Sequence, residues 1–276
     1  MSPASARPIV FLSDYGLEDE FVGICHSVMA GISPASPIID LSHAIPPHDV
    51  LRGALVLWRA VRYLPPEAVV LAVVDPGVGT GRRPVALVAA GGRHFVGPDN
   101  GLLSLAWAHE GGAAQAVLID SAEVILEPVS ATFHGRDVFS PAAAHLASGL
   151  SLERVGRSIE PASLVHLSLT EPDVEPGLIH CEVLGVDRFG NVQLSATAEH
   201  LRAAGLGASD RLEVIVAGRP MELRRAATFG DVAEGELAVI VDSMGWLAVV
   251  LNRGSGAEAL GITPGDPLTL QAHALG

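Results

Sequence analysis

The chain contains no lysine: all 17 of its basic residues are arginine. That absence removes a phosphate-loop lysine, a Schiff-base lysine and a lysine general base from the mechanisms open to it. Cysteine is nearly absent too. Cys25 and Cys181 lie far apart, each in an apolar stretch, and read as buried free thiols rather than a disulfide or a metal pair. No long apolar run occurs; the longest, Ala68 to Val74, is far short of a bilayer span. Met1 to Pro8 has no apolar core after Arg7, so the reading predicts no secretory leader and a cytoplasmic protein. Positive charge is also scarce. A net charge of −14 opposes binding to polyanions, so neither nucleic acid nor an anionic membrane is an expected partner.

What is present is a dense globular composition: 276 residues, 49% hydrophobic and 17% charged, enough for one large domain or two modest ones. The first half alternates strand-like and helix-like segments. Strands are predicted at Pro8 to Leu12, Pro37 to Leu41, Ala68 to Val74, Pro84 to Ala90, His94 to Val96 and Ala116 to Ile119. Between them, Phe21, Ile24, Val28 and Ile32 recur near a helical period. Asp49 is placed to cap a helix that Pro65-Pro66 terminates. Further helices are predicted from Gly101 to Ala108 and from about Pro141 to Ser148. The pattern is α/β with a largely parallel sheet. Glu160 to Gly177, rich in Pro, Ser and Glu, reads as a linker or long crossing loop. After it come short strands at Leu178 to Val186, Asn191 to Leu194, Arg211 to Val216, Glu236 to Val241 and Trp246 to Leu251, suggesting a small antiparallel barrel or sandwich.

Ligands of parallel sheets sit at the carboxyl ends of strands, so polar strand ends carry the functional information. Asp14 closes the first strand. It reads either as a cap or as a carboxylate for both hydroxyls of a ribose, and Asp19 either caps the next helix or meets a ligand ammonium. Asp75 and Arg82 bracket a loop with glycines at 77, 79 and 81 that fits neither the phosphate-loop nor the dinucleotide spacing. They are placed to pair across it, and a carboxylate paired with arginine stays ionised at neutral pH. His134 lies between Phe133 and Gly135. Asp14, His43, His48, Asp49, Asp75 and His134 are the residues a metal would recruit, but none has recognised ligand spacing, and no metal is expected. No Gly-x-Ser-x-Gly elbow follows a strand, although Ser255 lies between two glycines. In the second half, Asp187 to Asn191, Ser243 to Trp246 and Asn252 to Ser255 read by themselves as turns.

Taken in order, six segments carry a resemblance: Ser-Asp-Tyr-Gly (13–16), Val-Asp-Pro-Gly-Val-Gly-Thr (74–80), Gly-Pro-Asp-Asn-Gly-Leu-Leu (97–103), Thr-Phe-His-Gly-Arg-Asp (132–137), Asp-Arg-Phe-Gly-Asn (187–191) and Asn-Arg-Gly-Ser (252–255). From about Ile9 to Leu268 the chain resembles the S-adenosyl-L-methionine (SAM) hydroxide adenosyltransferases. These are adenosine-forming SAM hydrolases related to bacterial fluorinase and chlorinase. The resemblance implies an N-terminal Rossmann-like domain (1–165), a linker (166–176) and a smaller C-terminal antiparallel β-barrel (177–276). It implies in-line attack of an activated water on the ribose 5′ carbon of SAM, with Asp75, Arg82 and His134 as the water-activating trio and no cofactor. Fluorinase has tyrosines at the Asp75 and His134 positions and a halide-holding serine at Gly135, whereas chlorinase also has glycine there.

The same resemblance implies ligand roles. Asp14 would hold the ribose hydroxyls, and Asp19 and Asp187 the methionine ammonium. Asn191 and the backbone near Leu251 to Arg253 would read adenine, and Ser243 would touch the methionine carboxylate. Met244 stands where fluorinase has an arginine that joins this carboxylate contact. The family's site forms between one subunit's N-terminal domain and a neighbour's C-terminal domain in a homotrimer. Two other readings stay open: a chlorinase-like SAM-dependent halogenase, and a non-catalytic adenosine- or SAM-binding protein.

Overall fold

The computed structural model describes residues 6–273; segment 1–5, most of the stretch read as lacking a leader, and residues 274–276 lie outside the described residues. The chain divides into two compact units, 1–167 and 168–276.

The first unit is built on a seven-stranded sheet: β1 (Ile9–Ser13), β2 (Ile38–Ser42), β3 (Val69–Val73), β4 (Pro84–Ala89), β5 (His94–Pro98), β6 (Ala113–Ile119) and β7 (Gly156–Ile159), in the order β2-β1-β3-β5-β4-β6-β7. The half holding β2, β1, β3 and β5 is parallel, whereas β4 pairs antiparallel with β5 and β6, and β6 with β7. Its helices are α1 (Phe21–Ile32), α2 (Val50–Ala60), α3 (Ser104–His109), α4 (Ser140–Ala147) and α5 (Leu152–Val155). Every residue of β3 is buried, and successive side chains alternate between two cores. Val69, Leu71 and Val73 join Cys25 and Met29 of α1 and Phe139 beside α4; Val70, Ala72 and Val74 join Leu57 of α2 and Ala106 of α3. A strand covered on both faces has no reason to alternate polar and apolar residues, which is why it reads as an unbroken apolar run.

Two local expectations need adjustment. The fully buried residues of α1 are Val22, Cys25 and Met29, and of the periodic set Phe21, Ile24, Val28 and Ile32 only Ile32 is packed, partly buried, against the same core. Phe21 is instead 38% exposed, its ring 5.9 Å from that of Tyr15 and 5.3 Å from that of Phe133. Ahead of α4 the chain makes a π-helical turn, Gly135–Phe139, where the sequence signals only a helix from Pro141. Asp49 does cap α2, its Oδ1 accepting from the Arg52 amide at 2.8 Å.

The second unit holds β8 (Asp173–Glu175), β9 (Leu178–Val186), β10 (Val192–Thr197), β11 (Arg211–Val216), β12 (Arg219–Arg225), β13 (Leu237–Val241), β14 (Trp246–Leu251) and β15 (Pro267–Ala272), with α6 (Ala198–Ala203) and α7 (Gly256–Leu260). Strands β10-β14-β13-β12-β11-β15-β9 run in order and β9 pairs back onto β10, closing a seven-stranded barrel; β8 lies outside on β9. All its pairings are antiparallel except β12 with β13. Strand β8 lies inside the stretch read as a linker. Strands β12 and β15 were not foreseen: β12 is charged and mostly exposed, and β15 follows a Gly-Asp-Pro turn that reads as loop. The barrel interior is filled by Leu194, Leu212, Val214, Leu223, Val239, Leu247, Val249 and Leu270, while Ala238, Ile240, Ala248 and Val250 pack in a separate outer cluster. Both cysteines are free and buried, and burial pushes the Cys25 thiol up to about 11 and Cys181 up to about 12. No helix among the described residues is long and apolar enough to cross a membrane.

Candidate active site

At the carboxyl end of β3 the chain enters the Asp75–Arg82 loop through two successive tight turns. The Val78 amide donates to the Asp75 carbonyl at 3.2 Å and the Thr80 amide to the Gly77 carbonyl at 3.2 Å. Gly79 takes a left-handed φ of +74°, and a Cβ there would collide with the Ala131 carbonyl oxygen. This glycine therefore lets the loop lie directly against the segment that carries His134. The loop returns Arg82 to the start of its own turn, and the guanidinium grips Asp75 bidentately: Nε donates to Oδ1 at 2.9 Å and Nη2 to Oδ2. Both side chains are more than 90% buried. Arg82 Nη2 also lies 3.0 Å from His134 Nδ1, and the guanidinium carbon stands 5.1 Å over the Phe139 ring. The structure thus brings Asp75, Arg82 and His134 into one hydrogen-bonded chain.

Arginine is always a donor, so His134 Nδ1 in this contact is the acceptor and the neutral imidazole carries its proton on Nε2. The electrostatics agree. Burial, and then the neighbouring Arg82 charge, hold the His134 pKa below the usual imidazole range against the opposing pull of Asp75 and Asp137. Asp137, itself almost fully buried, ties the His134 segment together. It accepts from the Ser130 amide at 2.8 Å and from Arg136 Nε at 2.6 Å, and Arg136 lies over Phe133.

A cavity of about 260 Å³ opens here, lined by Asp14, Tyr15, Phe21, Pro47, His48, Asp75, Val78, Thr132, His134 and Gly135. Asp14, from the end of β1, accepts from the His48 amide at 2.9 Å. His48 holds a left-handed φ of 69°, which turns that amide toward the carboxylate. Asp19 is exposed, in the turn ahead of α1, and is not among the lining residues. It does not cap the helix either, whose N-cap is Glu20. Sequence reasoning gave Tyr15 no role of its own and weighed His48 only as a metal candidate. Tyr15 packs edge-on to Phe133 at 5.8 Å, and its hydroxyl occupies the place a Cβ on residue 135 would take. Burial of that hydroxyl raises its pKa well above the ordinary tyrosine value. Tyr15 stood inside a recognised motif; the positive φ of His48 left no signal in the residue types.

In the second unit the turn reading of 187–191 holds. Asp187 Oδ1 accepts from the amides of Phe189 (2.8 Å) and Asn191 (3.0 Å), and Oδ2 accepts from Asn191 Nδ2 at 2.8 Å. Ser243 lies in the β13–β14 turn, which Asp242 organises by accepting from the Met244 and Trp246 amides. Ser255 caps α7, accepting from the Glu258 amide at 3.1 Å, and is no nucleophile elbow. A second cavity, of about 510 Å³, brings together Asn191, Leu251 and Arg253 with Phe189, Phe229, Asn252 and Gly254; Asp187 and Ser243 are not among its lining residues. Phe189 and Phe229 are 71% and 45% exposed, a pair of aromatic surfaces that sequence reasoning did not single out.

Comparison with known proteins agrees with this arrangement of motifs. Residues 9–156 match the model of the SAM hydroxide adenosyltransferase N-terminal domain, and residues 181–269 that of the C-terminal domain. The (R)-S-adenosyl-L-methionine hydrolase of Salinispora tropica is 51% identical over 264 residues, covering 96% of this chain and 97% of its own. The protein of the same name from Thermus thermophilus is 46% identical over 96% and 99% of the two chains. A fluorinase of Actinopolyspora mzabensis is more distant, at 30% over 96% and 97%. Among solved structures, an uncharacterized conserved protein from Thermotoga maritima superposes with a TM-score of 0.89 at 37% identity, covering 95% of this chain and 99% of its own. With both domain models matched in order and near full-length relatives on either side of the hydrolase–halogenase divide, the chain belongs to the SAM hydroxide adenosyltransferase family.

Proposed function

We propose that this protein hydrolyses SAM to adenosine and L-methionine, with Asp75, Arg82 and His134 holding and activating the attacking water. The observation that carries the reading is the buried Asp75–Arg82–His134 chain on a cavity that also presents Asp14. The substrate's sulfur is already a sulfonium, so methionine departs as a neutral thioether and the leaving group needs no acid, metal or other cofactor. What remains is to aim a weak nucleophile at the ribose 5′ carbon in line with sulfur and to remove its proton. Arg82 fixes both neighbours. It leaves His134 with an Nε2–H to donate to the water oxygen, and it leaves the Asp75 carboxylate as the acceptor in the trio. As the new C–O bond forms, the C–S electron pair returns to sulfur and the water proton passes to Asp75 and on to solvent. Asp14 takes the two ribose hydroxyls, a pairing its two carboxylate oxygens suit.

The remaining ligand assignments belong to the same proposal. Asn191, Leu251 and Arg253 read adenine, whose flat ring suits the aromatic walls of the second cavity. Asp19, Asp187 and Ser243 meet the methionine moiety. The functional division is an N-terminal water-activating domain (1–165) and a C-terminal ligand-reading domain (177–276). Assembly as a homotrimer, with neighbouring copies completing each site, is proposed with it, as is a cytoplasmic location. A mass of three chains by light scattering is the expected outcome for the former; a monomer contradicts it.

Incubation of the protein with SAM, with and without chloride, tests the reaction. Adenosine and methionine in equal amounts are expected under both conditions. 5′-Chloro-5′-deoxyadenosine as main product would establish a halogenase, and tight SAM binding without turnover a binding protein. His134→Ala is expected to keep SAM affinity and to lose on the order of 10²-fold in kcat, the usual cost of a misplaced nucleophile, because the water loses the Nε2–H that holds it in line.

A further inference from the structure

Beside Phe11 of β1, three side chains converge that the hydrolysis does not use. His26 projects from α1, Asp40 from the edge strand β2 and His43 from the loop just after it. His26 Nε2 lies 2.8 Å from Asp40 Oδ1 and His43 Nε2 lies 3.0 Å from the same oxygen. One ligand atom from each residue falls within 4.8 Å of the others. We propose that His26, Asp40 and His43 form a binding site for a divalent transition-metal ion of the zinc type, with water completing the coordination.

The donor set is the first reason. Two imidazoles and a carboxylate are ligands that Zn²⁺ and its first-row neighbours prefer over Mg²⁺ or Ca²⁺. The spacing is the second. Around a tetrahedral ion with bonds of about 2.0–2.1 Å, ligand atoms stand about 3.3 Å apart. The observed 2.8 and 3.0 Å need to open by only a few tenths of an ångström, within the reach of side-chain rotation. The third reason is His43 itself. Its side chain is 2% exposed, and its Nε2 is buried without a hydrogen-bond partner although Asp40 is near, because the two are not in hydrogen-bond alignment. On the other side of the ring, Nδ1 lies 2.7 Å from Ser13 Oγ. In the tautomer that donates Nδ1–H to Ser13, the Nε2 lone pair faces a carboxylate oxygen, an arrangement that a cation between them relieves. A buried oxygen acceptor behind a ligating imidazole is the support such ligands ordinarily have.

The surroundings suit an ion as well. Phe11, fully buried, packs edge-on to the His43 ring at 4.6 Å and forms an apolar floor. His26 and Asp40 are 33% and 42% exposed, so the site opens to water on one side, where a fourth ligand enters. The consequence reaches the proposed active site indirectly. Ser13 Oγ also accepts from the Tyr15 amide at 3.3 Å, and the His43 carbonyl accepts from the Gly16 amide at 2.8 Å. An ion here fastens α1, β2 and the end of β1 that carries Asp14 and Tyr15.

The test is metal binding, read independently of turnover. Chelator-stripped full-length protein is titrated with Zn²⁺ against a chromophoric competitor, and separately with Co²⁺ while the visible spectrum is recorded. One equivalent is expected for the wild type, with the visible bands of low-coordinate Co²⁺. His26→Gln and Asp40→Asn are each expected to bind at least tenfold more weakly and to lose those bands. His26 stands partly exposed on α1, so His26→Gln is expected to keep the metal-free melting temperature; if it does not, Asp40→Asn decides. Zinc that washes out of the wild type under the competitor overturns the proposal. So does binding that both variants retain at full strength, or a Co²⁺ spectrum of the hydrated ion alone.

Discussion

Arg82 has three jobs that depend on one geometry. Its bidentate grip fixes the Asp75 carboxylate, its Nη2 sets the His134 tautomer, and its guanidinium carbon stands over the Phe139 ring. Lysine, a point charge without the planar fork, cannot do all three, and the chain uses none anywhere. Gly135 is as constrained, for a steric reason: the Tyr15 hydroxyl stands where a Cβ would go. Gly135→Ala is expected to push Tyr15 and His134 apart and to cut SAM turnover at least tenfold. Adding Tyr15→Phe removes the colliding oxygen and leaves the next ring carbon at 3.0 Å, so the double variant recovers part of the loss. Equal activity of Gly135→Ala and wild type in a steady-state assay would contradict this packing. The Asp75–Arg82 pairing was legible because both residues bracket one short loop. That Arg82 also meets His134, 52 positions away, follows from tertiary contact, and only the family resemblance anticipated it.

Elements place these residues with little local propensity to spare. The Asp75–Arg82 loop is two turns, the His134 segment is a π-helical turn, and neither has a periodic signal. Caps are different, since an Asp before an apolar helix has a local reason to be there. Asp49→Ala removes the bond to the Arg52 amide and is expected to cost about 0.5–2 kcal/mol in a denaturant titration. No change in the unfolding midpoint would show that α2 is held by packing alone. The same contrast explains the sequence reading. Strands buried on both faces, such as β3, and strands with one steady face, such as β11, announce themselves. Charged β12, and β15 behind its turn, depend on barrel neighbours for their state and do not. Helix α1 was legible as a helix but not in its facing, because Phe21 is turned out to join the aromatic cluster at the cavity.

The molecule as a whole is two units with separate cores, one an α/β sheet whose parallel half carries the candidate site and one a closed barrel. The change of texture near residue 170 lies close to the division between the two units, whereas barrel closure through β9 and β10 is a long-range pairing no local pattern states. Stability has a pH dependence traceable to His94 on β5. Burial, and then Arg7, whose Nη1 is 3.0 Å from Nδ1, bring its pKa down to about 4. An unfolded histidine titrates near 6.5, so as pH falls from about 6.5 to 4 the unfolded chain takes up a proton that the native one refuses. Stability is therefore full above about 6.5 and is lost on acidification, by on the order of 1–2 kcal/mol once solvent screening of a partly exposed ring is allowed for. His94→Gln is expected to flatten this part of the profile in unfolding titrations from pH 7 to 4.5; an unchanged slope would contradict it. Turnover of SAM in ¹⁸O-water reveals where the nucleophile comes from. Mass spectrometry is expected to find one ¹⁸O in the 5′-hydroxyl of the adenosine product and none in methionine; adenosine without label, or no adenosine at all, would contradict the account.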